Sequence, residues 1–152
     1  MDGTTQSAGT GSYTLPLPSG WEDRTAVTIT GPVDDGVQAN VVVTRESLCD
    51  HMGLGAFAEG WVARLSDQVP VTEIGEVEHV RIDGRRGQIR TVGWQAAGLD
   101  ITQLVGLVTD GEDAYAIVCT ASADAFGGLE EAFRGTIAGF RLSRPASEHD
   151  EE

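Results

Sequence analysis

The sequence predicts an α+β fold in which an antiparallel β-sheet is flanked by two main α-helices. Four β-rich stretches, 72–82, 88–96, 100–109 and 114–121, follow one another with only turn residues between them. Two other segments repeat apolar residues at spacings of three and four, the period of an amphipathic helix. This order of elements does not fit parallel βαβ units, whereas an antiparallel sheet that carries helices accommodates it.

Short turn sequences separate the four consecutive strands. Asp83-Gly84, Ala97-Gly98 and Asp110-Gly111 stand between them. Pairs that end in glycine suit tight hairpin turns, because those turns need positive φ angles. We therefore expect a series of hairpins that together form an antiparallel meander.

Further strands are expected on either side of the meander. One covers residues 13–17, and stretches 25–30 and 39–45 form a hairpin whose turn contains Asp34-Asp35-Gly36. A short strand at 140–142 is expected to complete the sheet after the second helix.

The two helical segments have recognisable ends. Pro70 ends the first segment, in which these apolar residues share one face: Leu54, Phe57, Ala58, Trp61, Leu65 and Val69. Ser122 is the expected N-cap of the second helix and Gly139 its stop. The apolar face of that helix contains Phe126, Leu129, Phe133 and Ile137.

The chain has the length of one domain, at 152 residues. Residues 1–11 are rich in Gly, Ser and Thr and are expected to form a disordered N-terminal tail. Residues 145–152 are expected to form an acidic C-terminal tail. A single domain is therefore expected to span residues 12–144.

The charge balance excludes several classes of partner. The chain has 24 acidic and 10 basic residues, a formal net charge of -14, and every basic residue is arginine. Nucleic acid and anionic membrane surfaces both require clustered cations, so neither is an expected partner. The absence of lysine also excludes Schiff-base chemistry.

The expected compartment is the cytoplasm. The first dozen residues lack the basic and then apolar pattern of a secretory signal. No run approaches the roughly 18 apolar residues that span a bilayer, so direct membrane insertion is not expected. Cys49 and Cys119 are interpreted as free thiols in a reducing compartment.

No motif predicts catalysis, a metal site or a cofactor, and we expect a protein that is not an enzyme. Cys49-Asp50-His51 contains two residue types that bind zinc, but the sequence has no second pair of such residues at the spacing of a zinc site. Gly53-Leu54-Gly55 lacks the rest of a dinucleotide fingerprint, and no Gly-x-Ser-x-Gly elbow is present. Arg85-Arg86 flanks a hairpin turn, where an anion site is the alternative to an ordinary solvated turn.

The strands are too apolar for a sheet with one face in water. The stretch 100–108 has apolar residues on both of its faces, with Gln103 among them. Either helices cover the sheet on both sides, or an apolar groove or dimer face remains exposed. Gln103 would then form a hydrogen bond with a bound segment; the alternative is that it forms its hydrogen bonds with a neighbouring strand. Gly93, Gly106 and Ala116 would let another helix approach closely.

A series of short motifs lies in a fixed order between residues 12 and 142. They are a leading strand ending in Leu-Pro, Gly20-Trp21-Glu22-Asp23-Arg24-Thr25, the strand 41–45, the helix 57–65 closing at Val69-Pro70, the Asp83-Gly84 turn, Trp94, Gln103 and the segment 137–141. This order resembles the DcrB-like family, which has the PsbP-like fold. Within that family it resembles the Eag-type chaperones of type VI secretion effectors.

The resemblance implies a homodimer with a specific task. Eag-type chaperones hold the hydrophobic N-terminal transmembrane helices of a toxin effector in the cytoplasm and help to load it onto the secretion apparatus. By position, Val27, Ile29 and Gln103 would line the client groove. Trp61, where relatives often have glutamine, and Val105, on the same strand face as Gln103, complete the expected client-binding set. The alternative is a DcrB-like envelope or lipid-associated binding domain.

Overall fold

The structure, a computed structural model, describes most of the domain: residues 7–8, 15–16, 27–34, 36–48 and 53–142. Its elements, in chain order, are β1 (Ser7–Ala8), β2 (Leu15–Pro16), β3 (Val27–Asp34), β4 (Val37–Ser47), α1 (Leu54–Gln68), β5 (Val71–Ile74), β6 (Glu78–Ile82), β7 (Arg85–Ala96), β8 (Leu99–Thr109), β9 (Asp113–Ser122) and α2 (Ala123–Ala138).

Seven strands form one antiparallel sheet, which confirms the predicted fold class. The strand order is β3-β4-β9-β8-β7-β5, and β6 pairs with β7 beside β5. The consecutive strands β6 to β9 form the predicted meander. Strands β1 and β2 pair with each other in a separate short ladder.

Turn chemistry sets the register of the meander. Asp83 and Gly84 have φ angles of 52° and 76°, and Ala97 and Gly98 have 52° and 80°. Positive φ at both central positions defines the hairpin turn whose twist matches that of the flanking strands. The third turn differs, because the Asp110 carboxylate accepts hydrogen bonds from the backbone N–H groups of Glu112 and Asp113.

Both helices end where the sequence predicts. The Ser122 hydroxyl accepts a hydrogen bond from the Ala125 N–H at 3.1 Å and caps α2, and Gly139 follows its last residue. Helix α1 is followed by Val69 and Pro70, and no side chain caps its first residue.

The two helices lie on opposite faces of the sheet, so the central strands are buried on both sides. Leu104 and Val108 of β8 pack with residues of α2, whereas Val105 and Leu107 pack with residues of α1. This arrangement accounts for strands that are apolar on both faces. Of the two explanations that the sequence allows, it selects the covered sheet for these central strands.

Gly106 brings α2 close to the sheet. A Cβ atom at this position would lie 2.7 Å from Cγ2 of Ile137, which is fully buried. The sequence predicts that Gly106 lets another helix approach closely. The structure shows that the helix in this place is the chain's own α2.

Two strand predictions are wrong in detail. The stretch 72–82 is not one strand, since β5 and β6 are separated at Gly75, whose N–H donates to the Thr91 carbonyl at 2.7 Å. A Cβ at Gly75 would lie 3.1 Å from that carbonyl oxygen, so the close approach favours glycine and interrupts the regular strand.

The predicted strand at 140–142 is also absent. Phe140 packs on the α2 side of the core, with its ring centroid 5.7 Å from that of Tyr115. The Leu142 N–H donates to the Asp83 carboxylate at 3.0 Å instead of joining a ladder. That bond is the main cause of the lowered pKa of Asp83, with Arg85 and Arg141 contributing.

The predicted tails stay predictions. Of residues 1–11 only Ser7–Ala8 are described, and residues 145–152 lie outside the described part of the chain. Cys49, Asp50, His51 and the segment 20–25 lie outside it as well.

Gly106→Ala is expected to lower the free energy of unfolding by about 1–3 kcal/mol, because the added methyl group overlaps Ile137. Gly128→Ala on α2 is the matched control, since its new Cβ would meet nothing within 4 Å. That change should raise stability by roughly 0.5–1 kcal/mol through helix propensity. Urea unfolding of the two variants measures both effects, and equal stabilities would contradict the close contact.

Candidate functional site

The residues expected to bind a client lie on both faces of the sheet. Gln103 pairs across the strands with Thr120, Thr120 with Asn40, and Asn40 with Thr30. Ile29, one residue earlier on β3, belongs to the neighbouring row with Val41, Cys119 and Leu104. Adjacent rows of a sheet point to opposite faces. The structure therefore does not bring Ile29 and Gln103 into one groove.

By register, Val27 belongs with Ile29, because it pairs with Val43 two positions along the same strands. Trp61, Gln103 and Val105 lie on the α1 face. Their role in client binding stays a prediction. A client that contacts them would lie on the face of the sheet opposite to Ile29.

Helix α1 covers much of the α1 face. Val105 is 1% exposed within the cluster that contains Phe57 and Ala58 of the helix, and Trp61 packs against the same cluster. A client would have to displace α1 to contact Val105. These apolar residues therefore serve the core in the structure described.

Gln103 is a buried polar side chain on this face. Its side-chain N–H donates to the Thr120 hydroxyl at 3.1 Å, whereas its Oε1 has no partner among the described residues. The indole N–H of Trp94, on the adjacent strand, is also buried without a partner in that part of the chain. Buried unpaired polar groups cost free energy, so each of these two atoms would gain a hydrogen bond only from a partner that reaches its buried position.

An open apolar surface lies on the other side of the sheet, between β3 and α2. Its floor is formed by Ile29, Ala39 and Val41, and its wall by Leu129, Ala132 and Phe133, with a cavity of about 160 Å³ between them. We call these six residues the β3–α2 shelf. Ile29 is 57% exposed, so its side chain forms the open part of this apolar surface.

The shelf exists because α2 covers only the middle of its face. The helix packs on β8 and β9 and reaches β6. Ala39 and Val41 of β4 are buried beside it, whereas Ile29 on the edge strand β3 is left exposed. The flank of α2 toward β6 is polar, where Arg134 binds Glu130 and Glu78 at 3.1 Å. The flank toward β3 has Leu129, Ala132 and Thr136 instead.

The side of α2 that lacks charged residues is wider than the apolar face predicted from the sequence. Leu129, Ala132 and Thr136 recur at spacings of three and four, beside the buried positions of the same helix. The predicted face included Leu129 but neither of the other two. This uncharged side of α2 is wider than packing on the sheet requires. The extra positions are the feature of the sequence that could have indicated an exposed surface beside the helix.

The described residues offer little catalytic chemistry. Burial raises the pKa of the Cys119 thiol from 9.0 to about 12, so this group is protonated and a weak nucleophile at neutral pH. Within the same residues no three His, Cys, Asp or Glu side chains are arranged to hold a metal ion. The absence of enzymatic activity stays a prediction. Neither α1 nor α2 is long and apolar enough to cross a membrane.

Comparison with known proteins identifies the family. The sequence profile of the DcrB family matches residues 13–138. The chain belongs to the DcrB family. No curated protein sequence matches this DcrB-family chain closely enough to add a function.

A solved structure shares the DcrB-family fold seen here. It is the crystal structure of PA94 from Pseudomonas aeruginosa, a protein of unknown function described as a candidate regulator. The two superpose with a TM-score of 0.76 at 15% sequence identity, over 93% of this chain and 98% of that one. At this identity the likeness concerns the fold alone.

Cys119 is expected to resist modification in the folded protein. In a Cys49→Ala variant, which leaves Cys119 as the sole thiol, dithiobisnitrobenzoate should react only after unfolding in urea. Because the folded pKa is raised, the contribution of the neutral thiol to stability is complete below pH 9.0 and lost as the pH rises toward about 12. Rapid labelling of the native variant at neutral pH would contradict this burial.

Proposed function

We propose that this DcrB-family chain binds an apolar helix of a partner protein on the β3–α2 shelf. In this proposal it is a cytoplasmic chaperone or adaptor for the hydrophobic N-terminal helices of a toxin effector. It shields those helices from water and helps to load the effector onto a secretion apparatus. The observation that carries the proposal is the exposed Ile29 side chain in an apolar surface beside α2.

The shape of the shelf suits a helix that lies alongside α2. Ala132 in the wall and Thr136 next to it on α2 are small and exposed, so a second helix could approach this side of α2 closely. Ile29, the exposed residue of the floor, would contact the same helix from below. Burial contributes ~25 cal/mol per Å², so a few hundred Å² of apolar contact supplies several kcal/mol before ordering costs.

Strand β3 offers a second means of attachment. It is the first strand in the order of the described sheet and has no strand neighbour there on its outer side. Its outward backbone N–H and C=O groups can pair with an extended segment that precedes or follows a bound helix. The same edge could receive a second copy of the chain, which is how the proposed homodimer would form.

The residues on the α1 face have a separate place in the proposal. A helix on the β3–α2 shelf does not reach Gln103, because the sheet lies between them. Gln103 and Trp61 would take part only if a second client segment binds on the α1 side, where the unpaired Gln103 Oε1 could accept a hydrogen bond.

A lipid-associated envelope domain is the second candidate. The described lining of the shelf is almost entirely apolar, and such a surface also suits an acyl chain. Lipid extracted with the purified protein would favour this candidate, whereas a client that needs its apolar segment for binding would favour the chaperone.

Ile29→Asp is expected to abolish client binding while leaving the fold intact, because Ile29 is largely exposed before binding. Placing a carboxylate in an apolar interface costs several kcal/mol, which corresponds to a loss of affinity of about a hundredfold or more. The measurement is co-expression and pull-down with the apolar N-terminal segment of a toxin encoded in a neighbouring gene.

Ile74→Asp is the matched control for this experiment. Ile74 is also a half-exposed isoleucine on an outer strand, 46% exposed, but β5 lies at the opposite edge of the sheet. The proposal requires that Ile74→Asp retains the client. If both variants hold the client as well as the original chain does, the shelf is not the binding site.

A further inference from the structure

A second cavity lies on the α1 face, between the β6–β7 hairpin and the first turn of α1. Its volume is about 860 Å³, within the range of sites for small organic molecules. The lining includes Leu54, Gly55, His79, Arg81, Arg86 and Gln88. We call it the hairpin cavity. The β3–α2 shelf is on the other face, so the two surfaces are separate.

Two arginines face each other at this cavity. Arg81 and Arg86 are directly opposite in the antiparallel register of β6 and β7. Like charges at such positions repel each other and destabilise the pair. An anion bound between the two guanidinium groups would turn this repulsion into attraction.

Neither arginine has an acidic partner in the described part of the chain. Arg81 donates to the Gly84 carbonyl, and no salt bridge involves Arg81 or Arg86 there. Five other arginines do bind carboxylates: Arg45, Arg64, Arg85, Arg134 and Arg141. In a chain with a formal charge of -14, acidic side chains are plentiful. Two adjacent cations without one are therefore a distinctive feature of this cavity.

The other polar groups of the cavity are also hydrogen-bond donors. His79 and Gln88 form the next register pair on the same face of the hairpin, and each has a side-chain N–H. Leu54 and Gly55 belong to the first turn of α1, which has no side-chain cap and no acidic residue. The backbone N–H groups of that turn add donors and a favourable dipole to the arginine pair.

We propose that the hairpin cavity binds a small organic anion, held through its phosphate or carboxylate group by Arg81 and Arg86. Guanidinium groups bind both kinds of oxyanion through paired hydrogen bonds. The volume exceeds that of the anionic group alone, which leaves room for an organic body beside Leu54. Binding here gives the domain a small-molecule ligand on the face opposite the shelf.

The test is a titration of the isotope-labelled chain with inorganic phosphate and, separately, with citrate, followed by backbone amide NMR shifts. Shifts are expected in the first turn of α1 and in strands β6 and β7. Arg86→Gln should weaken binding of the effective anion by about tenfold or more, the usual contribution of a charge-assisted hydrogen bond. Phosphate shifts without citrate shifts identify a phosphate ligand, and the reverse identifies a carboxylate.

Arg64→Gln is the matched control, because it removes the same charge from α1 at an exposed site that pairs with Glu46 away from the cavity. It should leave the titration unchanged. Three results would overturn the proposal: no shifts with either anion, shifts spread over all arginine-bearing surfaces, or equal loss of binding in both variants. None of these results bears on the β3–α2 shelf, which the Ile29→Asp experiment tests independently.

Discussion

The contact between Ile137 of α2 and the backbone at Gly106 of β8 is the constraint on which the other features depend. Because a side chain is missing at Gly106, the helix lies low over the centre of the sheet, and Phe126 and Phe133 reach the same core with their ring centroids 6.0 Å apart. A helix held in this place cannot also cover the outermost strands. The exposed floor at β3 is therefore a consequence of tight packing at β8 and not a defect of the core.

Much of the fold follows from local sequence patterns. Periods of two and of three to four separate strands from helices, and paired turn residues such as Asp83-Gly84 set the hairpins. The break at Gly75 and the course of residues 140–142 could not be predicted in this way. Both depend on partners distant in sequence, the Thr91 carbonyl in one case and the Asp83 carboxylate in the other. Such contacts exist only once the sheet has formed.

The candidate functional surfaces were harder to predict because they depend on the register of the strands. Ile29 and Gln103 look equivalent as strand residues, and only the pairing of β3, β4, β9 and β8 shows that they belong to opposite faces. Family resemblance does not supply that pairing. The pairing of Arg81 with Arg86 was easier to predict, since a two-residue turn at Asp83-Gly84 fixes which residues of that hairpin face each other.

The amino-acid composition of helix α2 makes its stability depend on packing against the sheet. Gly127, Gly128 and Gly135 lie within it, and none has a neighbour that would forbid a side chain. Each glycine weakens an isolated helix by about 1 kcal/mol relative to alanine, so this segment is a poor helix by itself. Tertiary contacts must therefore sustain it. It follows that α2, and with it the wall of the β3–α2 shelf, is stable only when strands β8 and β9 are in place beneath it.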